Sequence, residues 1–260
     1  MERVHQSWNI IRFGGAWMKP LLLLLADGEC ASTLKGFFGR DQFHLSLGCG
    51  PIRLDDDVFD PERDIRVHPA CDPGVWSDPH TILFAERHNY EKCLVILDEA
   101  WEGAPAPEKI ISDIEGLVVS QAKWARDRFE VILIRPELEA WIWQRNTHVV
   151  EAFGFTGTDA QLWTLLEQQS LALEAGKKKH RFVPANTLGG FPPAWPRRNP
   201  KPENPKGLVE ALSRHCQSGP ASGIFNEISS SISVRRCVDP AFEKFRAALR
   251  LWFPAHGGAA

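Results

Sequence analysis

The chain has 260 residues, 43% apolar and 24% charged, with a formal charge of −3. That composition excludes a disordered tail, a coiled coil and a strongly basic nucleic-acid coat protein, and it is enough chain for a core without disulfide or metal staples.

Residues 1–17 form an N-terminal extension that includes Trp8, Ile10, Ile11, Phe13 and Trp17. Met18-Lys19-Pro20 ahead of an apolar run also reads as a start of translation, so the extension is either an N-terminal strand or upstream of the true start. Leu21–Ala26 is too short to span a bilayer, which takes about 20 apolar residues. Asp27 and Glu29 follow at once, so no secretory leader is predicted there. The run is predicted to be a strand buried on both faces. Ala31–Phe38 is predicted to be a short helix, and Phe43–Leu47 a strand by its alternation. Residues 48–77 read as an acidic loop with Asp55, Asp56 and Asp57, followed by a helix over Pro79–Asn89.

Cys93–Leu97 is the second buried strand, closed by Asp98 and Glu99. A helix is predicted over Pro107–Arg128 from the spacing of Ile110, Ile114, Leu117, Val118 and Ala125. Phe129–Ile134 is the third buried strand, and Pro136 then opens a helix whose Glu137 and Glu139 suit its positive end. Another helix is predicted over Thr158–Ala175. The basic run 177–181 follows, then a proline-rich basic connector at 184–206. Helices near 206–216, 221–231 and 239–252 end the chain. The expected organisation is the 1–17 extension, an α/β domain at 18–183, the connector, and a helical C-terminal region at 207–260 packed on the main domain.

Alternating strands and helices imply a mainly parallel sheet flanked by helices. Ligands of such sheets bind at the carboxyl ends of the strands. Here those ends carry Asp27 and Glu29, then Asp98 and Glu99, then Glu137 and Glu139. Converging carboxylates suit Mg²⁺ or Mn²⁺. The alternative is that each acid simply solvates a strand end or caps a helix. The six cysteines are dispersed with no zinc spacing and read as reduced thiols of a cytoplasmic protein. Cys30, at a helix start, reads as packing rather than as a nucleophile, and no histidine pair has metal spacing. Lys178, Lys179, Arg181, Arg197 and Arg198 are weak candidates for phosphate contacts, with Trp195 as a base-stacking candidate against a packing role.

Leu22–Glu29, in which a strand ends in Asp27-Gly28-Glu29, resembles the first motif of the TOPRIM domain found in topoisomerases, primases and OLD-type nucleases. Leu94–Gly103 resembles its Asp-x-Asp motif. Arg135-Pro136-Glu137-Leu138-Glu139-Ala140-Trp141, Asn204-Pro205-Lys206 and Ser231–Phe242 resemble a TOPRIM-like family of unknown function associated with bacterial defence loci. The resemblance spans most of residues 20–252. It implies a TOPRIM-like α/β fold with a helical C-terminal extension. It also implies catalytic Asp27 and Asp98, with metal bound by Asp27, Glu29, Asp98 and Glu99, and Glu137 and Glu139 as auxiliary acids. The implied function is a Mg²⁺- or Mn²⁺-dependent nuclease of an anti-phage defence system, working beside a neighbouring ATPase or other defence proteins. Two departures stand out: Asp27 replaces the family's glutamate, and Ala100 replaces the second aspartate. They keep open a non-catalytic scaffold subunit; the modest basic charge keeps open a nucleotide-processing enzyme.

Overall fold

The computed structural model describes residues 18–177, 179–184, 193–197, 200–235 and 237–255. The 1–17 extension, Lys178 and Arg198 lie outside these. Strand β1 (Lys19–Leu25) is the five-leucine run, each leucine fully buried. Leu21, Leu23 and Leu25 enter one core, Leu22 and Leu24 the other, as strand alternation requires. Asp27 then caps helix α1 (Gly28–Phe38) by accepting from the Cys30 N–H at 2.8 Å.

Phe43–Leu47 is not the predicted strand but a one-turn helix, α2. Phe43 and Leu47 are buried while Leu45 is 55% exposed. Positions i and i+4 share a face in both a helix and a strand, so five residues could not distinguish the two periods. The stretch read as an acidic loop holds four elements: a short hairpin of β2 (Arg53–Leu54) and β3 (Asp57–Val58), strand β4 (Ile65–Val67) and helix α3 (Cys71–Ser77). Three residues are too few to show a period, and β4 is held by sheet pairing. Just before it, the fully buried Asp64 accepts from Arg63 Nε at 2.7 Å and from the Tyr90 hydroxyl at 3.0 Å. That acid is a structural anchor.

Helix α4 (His80–Glu86) leads to β5 (Tyr90–Asp98). Helix α5 (Pro107–Ser120) is shorter than predicted, because the chain turns at Lys123 (φ +61°) to bury Trp124, whose Nε1 donates to the Leu83 carbonyl at 2.9 Å. Strand β6 (Phe129–Ile134) ends at a cis Arg135–Pro136 bond. Pro136 does not open the next helix; α6 (Glu139–Ile142) starts three residues later.

Helices α7 (Thr147–Ala152) and α8 (Asp159–Gln168) follow. The helix predicted to reach Ala175 stops at Gln168, and Leu173, read as part of its stripe, is 63% exposed on strand β7 (Gln169–Leu173). Strand β7 pairs antiparallel with β8 (His180–Pro184), so the described residues of the basic run flank the turn and start the second strand of a hairpin. Trp195 is fully buried, edge-on to Trp143 and Trp163. That overturns the base-stacking candidate. Helices α9 (Pro205–Cys216), α10 (Ala221–Ser231) and α11 (Pro240–Trp252) complete the described chain.

Sheet order is β4-β1-β5-β6, all parallel. From β1 the chain moves one way to β4 with α1 on one face, then returns past β1 to β5 with α3 and α4 on the other. Direction and face reverse together, which keeps one crossover hand. Helix α5 covers the same face as α3 and α4, while α1, α6 and the three C-terminal helices share the opposite core. Lys244 of α11 donates to the Val131 carbonyl at 2.8 Å, along the outer edge of β6. No helix among the described residues is long and apolar enough to cross a membrane.

Candidate functional site at the carboxyl ends of β1 and β5

The strand order reverses direction between β1 and β5, and crevices of open α/β sheets form at such switch points. A pocket of about 110 Å³ opens there, lined by Asp27, Glu29, Asp98, Glu139, Lys206 and Glu210, with an apolar floor that includes Leu138 and Phe225. Its acids come from separate places. Asp27 and Glu29 stand where β1 turns into α1, and Asp98 ends β5. Glu139 opens α6, and Lys206 and Glu210 lie one turn apart on α9. Asn204 and Pro205 start α9 at that point, with Asn204 Oδ1 accepting from the Gly207 N–H at 2.7 Å.

Asp72, in the first turn of α3, braces the site from the other face. Its Oδ1 accepts from the Asp98 backbone N–H at 2.9 Å. Burial first, then the charges of Asp72, Glu139, Asp27 and Glu137, hold the Asp98 carboxyl well above the usual carboxylate range. Burial pushes Glu139, only 7% exposed, up to about 7, and its Oε2 has no hydrogen-bond partner. Glu29 is raised by burial and by Asp27, and Asp72 by burial and by Asp27. Burial also raises Glu137, whose carboxylate lies 3.8 Å from Lys206 Nζ. Burial alone would pull Lys206 down, but Glu139, Glu137, Asp98 and Asp27 together hold it above its ordinary value. The site is thus a crowd of like charges with Lys206 as the cation in its lining.

Asp27, Glu29, Asp98 and Glu139 of the sequence-derived set come together, with Glu137 at the rim. Glu99 does not join them. It follows Asp98 directly, so it leaves the strand on the opposite side, where it pairs with Arg135. Among the described residues, no three His, Cys, Asp or Glu side chains form a ready-made metal ligand set. Cys30 is buried beneath the acids, and burial followed by Asp27, Asp98, Asp72 and Glu139 raises its thiol far above the reactive range. Asp72 and Glu210 are site residues that the sequence pattern does not single out, and Lys206 stands out there only within the basic connector and the Asn204-Pro205-Lys206 stretch. Asp72 sat in a stretch without visible periodicity. The signal for Lys206 was present, in the Asn-Pro helix start that fixes its position.

Of the basic candidates, Lys179 and Arg181 are exposed on the β7–β8 hairpin. Arg197 is 87% exposed and 3.8 Å from Glu167. The hairpin is tied to the site: Glu210 Oε2 accepts from the His180 backbone N–H at 2.8 Å and lies 2.9 Å from its Nδ1. Compared with family models, curated proteins and solved structures, the chain matches none.

Proposed function

We propose that this chain is a TOPRIM-like phosphodiester hydrolase of a prokaryotic anti-phage defence system, acting with Mg²⁺ or Mn²⁺. The observation that carries the reading is the convergence of Asp27, Glu29, Asp98 and Glu139 on one pocket at the switch point of a parallel sheet. The motif resemblance of Leu22–Glu29 and Leu94–Gly103 falls on the two strands that border it.

The residues fit a hard divalent cation in kind, since every acid offers oxygen donors. The unpartnered Oε2 of buried Glu139 and the raised Asp98 carboxyl are groups that a cation would relieve. Asp27, Asp98 and Glu139 would hold it, with Glu29 at the mouth, after side-chain rotations that bring their oxygens closer. When bound, such an ion neutralises a phosphodiester and activates water. Asp72 keeps the end of β5 in place through the Asp98 N–H. Lys206 supplies a positive charge beside the position a phosphoryl oxygen would take, where a fixed cation favours charge developing in the transition state. The apolar wall of Leu138, Val209 and Phe225 keeps part of the pocket dry.

The test is digestion of plasmid and single-stranded DNA with Mg²⁺ or Mn²⁺, with and without the neighbouring ATPase, alongside phage protection in cells. Asp98→Ala is expected to abolish both cleavage and protection. The second reading, a scaffold subunit, draws on exposed Ala100, which offers no ligand where the family has an aspartate. An Asp98→Ala variant that protects as well as the wild type would make the scaffold the function.

A further inference from the structure

We propose that a groove beside the β7–β8 hairpin is a phosphate subsite for a nucleic-acid strand whose reacting phosphate lies at the acidic pocket; this rests on the hydrolase reading. The groove, about 680 Å³, is lined by Lys177, Lys179, Arg214 and Glu174. Glu174 pairs with Arg214 at 2.7 Å and Lys177 at 3.2 Å, so one carboxylate is shared by two of the three cations in the lining. Among the described residues no ion pair engages Lys179, which is exposed.

Helix α9 links the groove to the pocket. Lys206, Glu210 and Arg214 follow one another at four-residue spacing, the first two lining the pocket and the third the groove. Eight residues of helix span about 12 Å. A stacked strand rises about 3.4 Å per nucleotide, so this length of helix corresponds to about four nucleotides. The hairpin cannot drift from this register easily. Glu210 accepts from His180, Asn204 Nδ2 lies 3.1 Å from His180 Nε2, and Arg214 holds Glu174. The pocket's carboxylates repel a polyanion, whereas the groove attracts one, and a strand positioned by the groove reaches the pocket with one phosphate rather than along its length. Phosphate contacts of this kind position a strand without reading its sequence.

The experiment uses the full chain with Ca²⁺ in place of Mg²⁺ and measures anisotropy of fluorescein-labelled oligothymidylates of 2 to 12 nucleotides. Affinity is expected to step up once the strand exceeds about four nucleotides. The Lys177→Glu/Lys179→Glu variant, with both changes on an exposed turn, is expected to lose that step. Its affinity for the 8-mer should fall about tenfold or more, with dinucleotide binding unchanged, and its salt slope should become shallower by about 1.4. Unchanged 8-mer affinity and salt slope in the variant would overturn the subsite. So would tripolyphosphate binding as tightly as the 8-mer with no length step, which assigns the groove to free polyphosphate. A length step in a chain that cleaves no DNA supports the subsite and sinks the hydrolase reading; cleavage without a length step does the reverse.

Discussion

Burial holds the Glu139 and Asp98 carboxyls above the usual carboxylate range, and stability should report it. Glu139 keeps its proton up to about pH 7 in the folded chain but only to about 4.5 when unfolded. Between those values the folded state binds more protons, so stability falls as pH rises. The cost is absent below about pH 4.5 and complete above about 7, at most about 3 kcal/mol for this group. In EDTA the melting temperature is therefore expected to drop between pH 5 and pH 8, and Glu139→Gln to remove most of the drop. Mn²⁺ is expected to restore stability at pH 8 and to do little at pH 5. A flat scanning-calorimetry profile across that range would remove the buried-acid account. Asp98→Asn takes one charge out of the cluster formed with Asp72, Glu139 and Asp27. It is expected to abolish cleavage while raising the melting temperature by about 2–6 °C. An acid that only solvated a strand end would leave stability unchanged.

Helix α1 carries Asp27 and Glu29 at its start, and its position is set further along by its contact with α10. A Cβ at Gly36 would lie 1.9 Å from Ser229 Oγ and 2.5 Å from the Asn226 carbonyl oxygen. Gly36→Ala gains helix propensity of about 1 kcal/mol but must wedge the two helices apart. Overpacking of this kind costs about 1–3 kcal/mol, so a net loss in urea denaturation is expected. Ser229→Ala removes only the hydroxyl clash and should rescue in part, because the Asn226 carbonyl is backbone. Elements of this size also marked the boundary of what periodicity could reveal. The three long strands were legible because Leu21–Leu25, Cys93–Leu97 and Phe129–Ile134 carry buried apolar residues on both faces. Strand β4 and helix α2 were not, since three and five residues fit more than one period and take their form from neighbours. The hairpin was hidden for a related reason: Leu173 continued a helical stripe on paper but faces solvent on a strand.

The C-terminal helices close the core over one face of the sheet. Leu208, Leu212, Phe225, Ile228, Phe242, Phe245 and Leu249 are buried in the same cluster as Leu23 and Ile96. Each such side chain contributes roughly 1.5–3 kcal/mol by burial, against a total stability of about 5–15. A chain ending at Asn204 is therefore expected not to fold, and the full chain to unfold in one urea transition seen alike by circular dichroism and tryptophan fluorescence. A soluble 18–183 fragment with its own cooperative transition would refute this. Ile96→Asp, which buries an unpaired charge in the middle strand pair, is expected to abolish folding.

By itself the sequence determined the parallel α/β class, the three long strands, the three terminal helices and the acids at two strand ends. These follow from local period, capping and the rule that strand ends face the crevice. Only the tertiary structure decided which acids meet. Strand order brings β1 beside β5, so Asp27 and Asp98 share a pocket, and alternation at the end of β5 turns Glu99 to Arg135. Helix α9, more than a hundred residues after β5, delivers Lys206 among the carboxylates. No local pattern encodes such distances, because they are set by how buried faces pack between elements far apart in the chain.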